Sequence, residues 1–326
     1  MIKKPTRRSI AGLALIALAG ATASAAFAAD PWPNKTLRVV VAFPPGGPGD
    51  VVVRLLQPHL QQALGQSVIV ENKPGAGGNL GAQEVARATD GHTVLLGPDT
   101  MLTVNPHIYR KLTFKPQEDL VPISFLVRYS QLLVCNPSAG FKTLADFRAA
   151  AKKGSLNYAS GGQGVPGHIA MELLQDTAGV NLVHVPYRGP TPAVQDVIGG
   201  AVSCGFLATS VVGPHVRDGR LVGLAVSGAR RTASLPAVPT VAEAGMAGFD
   251  ATFHDALWAP RSMPAAHIER LQQELAKALS QPEVRARLTA ADMEPVGSTS
   301  AEAVRSVRAD FEKWGQVLRK LNLQVD

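Results

Sequence analysis

Apolar and polar positions along the chain form two recurring patterns, short apolar runs of strand length and longer stretches with a helical period. Residues 36–43, 66–72 and 92–97 are apolar runs with the length of a buried strand. Glycine-rich loops follow the first two runs, and helical patterns follow those loops at 51–64 and 80–88. Strand, loop and helix repeated in this order predict an α/β fold with a parallel sheet.

A second series of the same kind occupies the middle of the chain. Extended runs near 123–135 and 250–258 separate it from the rest. Two α/β lobes joined by two extended crossings form a hinged cleft, which is a common place for a small ligand. We predict a first lobe over 29–128 and 252–326 and a second over 129–251. The elements predicted for the second series are helices at 143–154 and 168–179, a loop and helix at 188–200, and strands at 156–160, 182–187, 202–208 and 221–228.

Local signals place the ends of some helices. Asp50 precedes the 51–64 pattern and is predicted to cap that helix, in which Pro58 is expected to introduce a kink. Thr299 and Glu302 have the spacing of a capping box at the start of a C-terminal helix. The predicted buried face of that helix consists of Val304, Val307, Phe311, Trp314, Leu318 and Leu321.

The first 28 residues have the pattern of an export signal. Four basic residues lie within the first eight, an apolar stretch follows over 10–21, and the sequence AFA at 26–28 matches an A-x-A cleavage site. The apolar stretch is too short for a membrane anchor. We therefore predict a signal peptide over 1–28 and a periplasmic mature protein. The adjacent Arg7 and Arg8 leave both the general and the twin-arginine export route open.

Composition and charge narrow the function classes. The chain has 326 residues, of which 46% are hydrophobic and 17% charged, a globular composition that suits one large domain or two ordinary ones. Removing the signal peptide removes four basic residues and no acidic one, so the net charge falls from +7 to +3. The remaining basic residues are interleaved with acidic ones, and nucleic-acid binding is therefore not predicted.

Few residues suggest metal, cofactor or nucleophilic chemistry. Cys135 and Cys204 lie in apolar stretches, where a disulfide after export and two buried free thiols are both compatible with the sequence. No CxxC, HExxH or G-x-S-x-G motif occurs, and the eight histidines are dispersed. The glycines of 75–81 miss the dinucleotide-binding spacing, and 43–50 lacks the Gly-Lys-Ser/Thr ending of a phosphate loop. We predict neither a metal nor a cofactor.

Two loops have the features of an anion site. The sequence FPPGGPGD at 43–50 follows the first strand, and GGQGVPG at 161–167 follows a strand of the second series. Each leads into a helix whose first amides and dipole favour a negative charge, and glycine allows close approach of a ligand. We expect the two loops to hold a small carboxylate between the lobes. Both loops are also compatible with plain strand-to-helix turns.

Five segments together resemble one protein family. They are RVVVAFPPGGPGD, LGQSVIVENKPGAGGNLGAQEVARATDGHTVLLG, PHVRDGRLVGLAVSGARR, LPAVPTVAEAGMAGF and KWGQVLRKLNLQ. In this order they resemble the solute-binding receptors of tripartite tricarboxylate transporters, the Bug receptors, along essentially the whole mature chain. The resemblance implies an α/β, two-lobed periplasmic-binding-protein fold, type II-like, with two hinge crossings and an interlobe ligand cleft.

The resemblance also implies a binding site without catalysis or cofactor. In such receptors main-chain amides and ordered waters hold most of the ligand. Carried over by position, the candidate ligand-binding residues are Phe43, Pro44, Pro45, Gly46, Gly47 and Asp50 in the first loop, Ser160, Gly162, Gln163, Gly164, Val165 and His168 in the second, Tyr187, Arg188, Gly189, Pro192 and Asp196 in a third segment, and Asp99, Thr100 and His254 near the hinge.

Two positions depart from the pattern of the family. Val165 stands where the family often has serine or threonine, so a hydrogen bond to a charged group worth about 1.5–3 kcal/mol is missing. His254 and Asp255 stand where an aromatic residue is usual, which makes the cleft more polar. We therefore expect Val165 and His254 to decide which acid is bound. Arg188 is compatible with pairing to a ligand carboxylate or with anchoring its own loop, for example to Asp196.

The implied function is that of an exported receptor. It captures a small organic acid and delivers it to the membrane permease of a tripartite tricarboxylate-type transporter, and we expect it to be a monomer. Two alternatives stay open, a receptor that signals to a membrane sensor kinase and a periplasmic enzyme that uses His168 or His254. The enzyme would need a nucleophile or a metal beside its histidine, and no motif in the sequence supplies one.

Overall fold

The computed structural model describes residues 32–154 and 156–325, and the predicted signal peptide over 1–28 lies outside them. One continuous mixed sheet, flanked by helices, runs through the described residues. Its strands are β1 Leu37–Val41, β2 Val68–Asn72, β3 Thr93–Pro98, β4 Leu120–Cys135, β5 Asn157–Ser160, β6 Val183–Pro186, β7 Cys204–Ala208, β8 Val222–Val226, β9 Thr252–Pro260 and β10 Met293–Pro295. The helices are α1 Pro48–Leu64, α2 Asn79–Ala86, α3 Thr100–Thr103, α4 Asn105–Ile108, α5 Pro116–Asp119, α6 Leu144–Ala151, α7 Pro166–Ala178, α8 Pro190–Gly199, α9 Thr209–Arg217, α10 Ala265–Ser280, α11 Pro282–Ala290 and α12 Ser300–Leu321.

Two parallel strand groups lie at the two ends of the sheet. The strand order is β2-β1-β3-β9-β4-β7-β5-β6, while β8 and β10 each pair with β4. Strand β1 is parallel to β2 and β3, and β5 is parallel to β6 and β7. The predicted α/β units are therefore confirmed, because each parallel group comes from one of the two strand-loop-helix series.

Strands β4 and β9 join the two groups. The 16 residues of β4 extend over about 50 Å at the usual rise of a strand. Its first part pairs antiparallel with β9, and its second part pairs with β7 and β8. The predicted two-lobed fold with two extended crossings is thus confirmed. The residue bounds that we predict for the lobes put one division inside β4 and the other at the start of β9.

The first helix begins earlier than predicted. Gly47 is its N-cap and Pro48 its first residue, so Asp50 lies inside the first turn and is not the N-cap. Proline suits this first position because its φ is already helical and its missing N–H would have no partner there. The carboxylate of Asp50 instead accepts a hydrogen bond from the backbone N–H of Gly46 at 3.0 Å. The helix continues through Pro58 to Leu64.

Two further helices differ from the sequence prediction. Helix α7 begins at Pro166, two residues before the predicted start at His168. Helix α9, Thr209–Arg217, was not predicted between the strands that precede and follow it. Gly213 and Pro214 lie within it and disfavour a helix locally, so packing against β4 and β7 outweighs the local preference here.

The C-terminal helix confirms its predicted start. Thr299 caps α12, and Thr299 and Glu302 form the reciprocal capping box. Most of the predicted face is at least partly buried, but Val304 is 47% exposed. Ala303 is fully buried in its place, so the buried face begins one position earlier than the apolar pattern indicated.

A disulfide joins two neighbouring strands of the second lobe. Cys135 at the end of β4 lies directly opposite Cys204 at the start of β7, and the two are bonded. This decides between the two alternatives that the sequence left open. Among the residues that the structure describes, no helix has both the length and the apolar character needed to cross a membrane.

Candidate functional site

The N-termini of three helices converge on one cleft between the lobes. They belong to α1 in the first lobe and to α7 and α8 in the second. The cleft leaves ≈ 50 Å³ for the centres of water-sized molecules. Its lining includes Phe43, Gly47, Asp50, Tyr129, Gln131, Val165, Gly167, Pro190, Phe206 and Asp255.

All three helix ends are open to a ligand. Their N-cap residues are Gly47, Val165 and Gly189, and none of these makes a side-chain capping bond. A proline follows each of them, so the next two residues contribute the first free amides of α1 and α7. In α8 only Thr191 does so, because Pro192 has no N–H. Unpaired amides and three helix dipoles directed at one cavity favour an anion there.

Glycine at the second position of α1 and α7 lets these helices approach the sheet. A Cβ atom on Gly49 would overlap the side chain of Leu96, and one on Gly167 would overlap the carbonyl oxygen of Phe206. The shared Pro-Gly sequence of the two loops therefore has a packing reason. It brings both helix ends against the strands that form the floor of the cleft.

Asp50 is an ionised and fully paired member of the cleft. Burial by itself raises the pKa of this carboxyl. The hydrogen bonds from Arg54, from the Gly46 amide and from Asn72 outweigh burial, so the pKa of Asp50 is lowered overall. Because its oxygens are occupied by these donors, Asp50 holds the first loop in shape.

Asp255 is also a buried acid of the cleft, but in contrast to Asp50 it has an unpaired oxygen and a raised pKa. It is 2% exposed, and its Oδ2 atom has no hydrogen-bond partner among the described residues. The pKa of Asp255 is raised to about 8, mainly by burial and also by the charge of Asp99, with a smaller opposing effect from His254. Its side chain is therefore a neutral carboxylic acid near pH 7.

The lobes touch each other around the cleft, so the structure shows a closed form. The hydroxyl of Tyr109 in the first lobe donates a hydrogen bond to the carbonyl of Gln163 in the second at 3.2 Å. A Cβ atom on Gly189 would lie only 2.7 Å from Cδ of Pro44, which leaves no room for a side chain between these two loops.

The structure places the predicted residues of the first loop at the cleft or beside it. Phe43, Gly47 and Asp50 line the cleft, whereas Pro45 and Gly46 are exposed at its edge. In the second loop, Val165 lines the cleft and is 5% exposed. As the N-cap of α7 it offers no hydroxyl, which leaves the amides of that helix to a ligand.

His168 stabilises the second loop through a hydrogen bond to its backbone. Its Nδ1 atom accepts a hydrogen bond from the backbone N–H of Gly164 at 3.1 Å, and its ring stacks on His184 at 4.1 Å. Burial lowers the pKa of His168 well below its usual value, and the nearby His184 lowers it further. Ser160 bonds to the carbonyl of Gly162 in the same loop. His168 is thus neutral and occupied.

The third segment is anchored by a tyrosine and not by an arginine. The hydroxyl of Tyr187 donates a hydrogen bond of 2.5 Å to the carboxylate of Asp196 in α8. Arg188 is exposed, and Pro192 lies within the first turn of α8. The partner of Asp196 is therefore Tyr187 and not Arg188, which the sequence analysis considered.

His254 lies on the other side of β9 from the cleft. Successive side chains of a strand point to opposite faces, so Asp255 lines the cleft while His254 lines a second, polar cavity. His254 Nδ1 lies 3.0 Å from Oδ2 of Asp99, and its ring stacks on Phe125. Burial lowers the pKa of His254, but the bond to Asp99 and its charge outweigh burial and raise it overall. Thr100 is buried at the start of α3.

One group in the described residues has carboxylate and imidazole atoms close together. Asp99, His254 and Asp310 each contribute one such atom, and these atoms lie within 4.8 Å of one another. The hydrogen bond between His254 and Asp99 already accounts for the contact of that pair. We therefore interpret the group as an imidazole that is hydrogen-bonded to Asp99 and assign no metal to it.

Sequence reasoning missed several residues of the cleft floor. Tyr129 and Gln131 lie two positions apart on β4 and so face the same side, and Phe206 comes from the neighbouring β7. A buried glutamine within the apolar run LVRYSQLLVC was the available signal for this face. Which face of β4 meets the cleft depends on sheet packing, which the run itself does not specify.

Comparison with known proteins agrees with this geometry. Residues 52–323 match the family described as Tripartite tricarboxylate transporter family receptor. Protein BugT of Bordetella pertussis is 34% identical over 314 residues, which cover 94% of this chain and 96% of BugT.

Two similar solved structures contain acids. Rpa4515 of R. palustris with adipate has a TM-score of 0.86 and 29% identity, covering 90% of this chain and 99% of that one. MatC of Rhodopseudomonas palustris with bound malate has a TM-score of 0.83 and 31% identity, covering 88% of this chain and 100% of that one. The predicted family and fold class are confirmed, and proteins of this class bind solutes and are not enzymes. The chain belongs to the tripartite tricarboxylate transporter receptor family.

Proposed function

We propose that this protein is an extracytoplasmic receptor that captures a small organic acid between its lobes and delivers it to the permease of a tripartite tricarboxylate-type transporter. The observation that carries the proposal is the convergence of three uncapped helix N-termini on one interlobe cleft. Such a site attracts a carboxylate through amides and dipoles alone. The acids bound by Rpa4515 and MatC support the same ligand class.

The composition of the cleft supports a receptor over an enzyme. Among the described residues that line it there is no histidine, cysteine, serine, lysine or arginine. His168 lies beneath the loop with its Nδ1 occupied, and His254 faces the second cavity. We infer that the protein works in the periplasm as a monomer and that closure of the lobes around the acid is the form recognised by the permease.

Binding of acids should raise the unfolding temperature of the purified protein. At about 100 times Kd a ligand adds about 2.7 kcal/mol to the free energy of unfolding, which corresponds to a shift of roughly 5–10 °C for a chain of this size. The measurement is a thermal-shift screen with malate, adipate and a broad panel of other carboxylates, with 1,4-diaminobutane as the cationic control. No shift with any acid would contradict the proposal.

Gly189→Ala should impair closure of the lobes and therefore binding. Gly189 has φ +104, and the new Cβ atom would lie 2.7 Å from Cδ of Pro44 in the other lobe. We expect the affinity for malate and adipate to fall by roughly tenfold or more, because the closed form is less populated. Calorimetric titration measures this effect.

Gly200→Ala is the matched control for this substitution. Gly200 lies at the opposite end of α8 with φ +77, and its nearest neighbour would be Nδ2 of Asn136 at an ordinary 3.6 Å. Gly200→Ala introduces backbone strain of about 1–2 kcal/mol in the left-handed helical region. Gly189, with φ 104 and ψ 166, lies in a region that is essentially restricted to glycine, where strain is about 1–3 kcal/mol. Only Gly189→Ala affects the contact between the lobes. Equal affinities of the two variants would show that the contact between Gly189 and Pro44 has no part in binding.

A further inference from the structure

An unpaired acid forms part of the floor of the cleft. Asp255 lies on β9, between β3 and β4 in the sheet, and is 2% exposed. Its Oδ2 atom is buried and has no hydrogen-bond partner among the described residues, although the side chain lines the cleft. A buried polar atom without a partner costs about 1–3 kcal/mol. Such an atom in a residue that lines a binding cavity indicates a partner that arrives with the ligand.

The position of Asp255 indicates which group of the ligand pairs with its Oδ2 atom. Its Oδ2 atom lies 3.7 Å from the point where a Cβ atom of Gly49 would be, so it is next to the N-terminal end of α1. A ligand carboxylate attracted to the helix ends therefore comes close to the carboxyl group of Asp255. Two carboxyl groups in contact cannot both be ionised in a buried site, and they share a proton.

The surrounding charges also favour the protonated form of Asp255. Asp99 at the start of α3 contributes a negative charge that raises the pKa of Asp255, whereas the ionised Asp50 on α1 is paired with Arg54. Tyr129 on β4 is a buried neutral phenol whose pKa is raised well above its usual value. His254 on β9 opposes these effects, but it faces away from the cleft.

We propose that Asp255 is a ligand-contacting residue that stays protonated and donates a hydrogen bond to a carboxylate oxygen of the bound acid. This inference rests on the proposed function of the cleft. Of the two neighbouring residues on β9, it assigns recognition of the bound organic acid to Asp255 and not to His254. It also makes binding depend on pH, because the hydrogen bond is lost when Asp255 releases its proton.

Two substitutions separate the hydrogen bond from the charge. Asp255→Asn keeps an N–H donor that cannot ionise, and Asp255→Leu removes the donor. We expect calorimetric titration of malate and adipate to show wild-type affinity falling with pH above about 8, by up to tenfold per pH unit. The asparagine variant should bind within a few-fold of wild type at neutral pH and show no such fall. The leucine variant should bind roughly 10- to 100-fold more weakly at neutral pH.

Asp310→Asn is the matched control. Asp310 is a half-buried acid that also has a raised pKa, but it lines the second cavity on the far side of β9. Its substitution should leave both the affinity and its fall above pH 8 unchanged. A change equal to that of the Asp255 variants would overturn the assignment to Asp255.

Other outcomes distinguish the inference from the proposed function. If wild-type protein binds malate or adipate with the same affinity from pH 6 to 9, or if the asparagine variant binds as weakly as the leucine variant, the inference alone is wrong. Loss of acid binding in the asparagine variant together with wild-type binding of 1,4-diaminobutane would show an ionised Asp255 that pairs with an ammonium group. If wild-type protein binds no acid of the panel, the proposed function fails and this inference fails with it.

Discussion

Asp255→Asn should stabilise the ligand-free protein, and the gain should increase as the pH rises towards 8. The pKa of Asp255 is raised by burial to about 8 in the folded protein, whereas that of an aspartate in the unfolded chain is about 3.9. Between these values the folded state keeps a proton that the unfolded state has released. The stability of wild type therefore falls by about 1.4 kcal/mol for each pH unit in this interval, and asparagine does not contribute such a fall.

Urea unfolding of both proteins, followed by tryptophan fluorescence from pH 4 to 9, measures this difference. The stability contributed by neutral Asp255 is fully present below pH 4 and is lost as the pH rises to the folded pKa near 8, above which the difference between the proteins stays constant. Asp310→Asn is the control, because burial and the charge of Asp99 raise the pKa of Asp310 only to about 6. The gain in stability from Asp310→Asn should have the same sign, but it should stop increasing about two pH units lower. Parallel stability curves for wild type and Asp255→Asn would show an ionised Asp255 in the folded protein.

Removal of the disulfide should cause the second large effect. Cys135 and Cys204 close a loop with a sequence separation of 69, and in the chain-entropy model such a cross-link contributes about 4 kcal/mol by restricting the unfolded chain. The double variant Cys135→Ala/Cys204→Ala should therefore lose about that amount in urea unfolding. Both sites are fully buried, so alanine avoids an unpaired polar group in the core.

The position of the disulfide predicts that the folded double variant still binds malate and adipate. Cys135 and Cys204 lie at the end of the β4–β7 pairing, and neither lines the cleft. The affinity of the double variant for malate and adipate at low temperature should therefore be close to that of wild type. Wild type unfolded in the presence of a reductant should match the variant. An unchanged urea midpoint in both experiments would mean that the cross-link contributes nothing to stability.

The sequence alone was sufficient to predict the fold and family. Apolar runs at 37–41 and 157–160 became parallel strands, and the long run that ends at Cys135 became the crossing strand β4. The capping box at Thr299 and Glu302 was also correct. These features depend on neighbouring residues, whose periodicity and side-chain hydrogen bonds act over a few positions and can be read directly.

Predictions that required a choice between two local partners were less accurate. Asp50 has a side chain that can cap a helix, yet Gly47 is the N-cap of α1 because Pro48 suits the first helical position and Asp50 bonds back to Gly46. At α7 the same Pro-Gly arrangement places the helix start at Pro166. The repeated proline in the two loops was the signal for both helix starts.

Only the tertiary structure decided how the site is assembled. Alternation along β9 shows that His254 and Asp255 point to opposite faces, but which face forms the cleft depends on the packing of α1 against β3. The pairing of Cys135 with Cys204 likewise depends on β4 lying beside β7, a contact between residues far apart in sequence. The sequence determined the two loops and the family, because these follow from local order. The buried acid at the floor of the cleft follows from long-range packing, which removes Asp255 from water and leaves its Oδ2 atom without a partner.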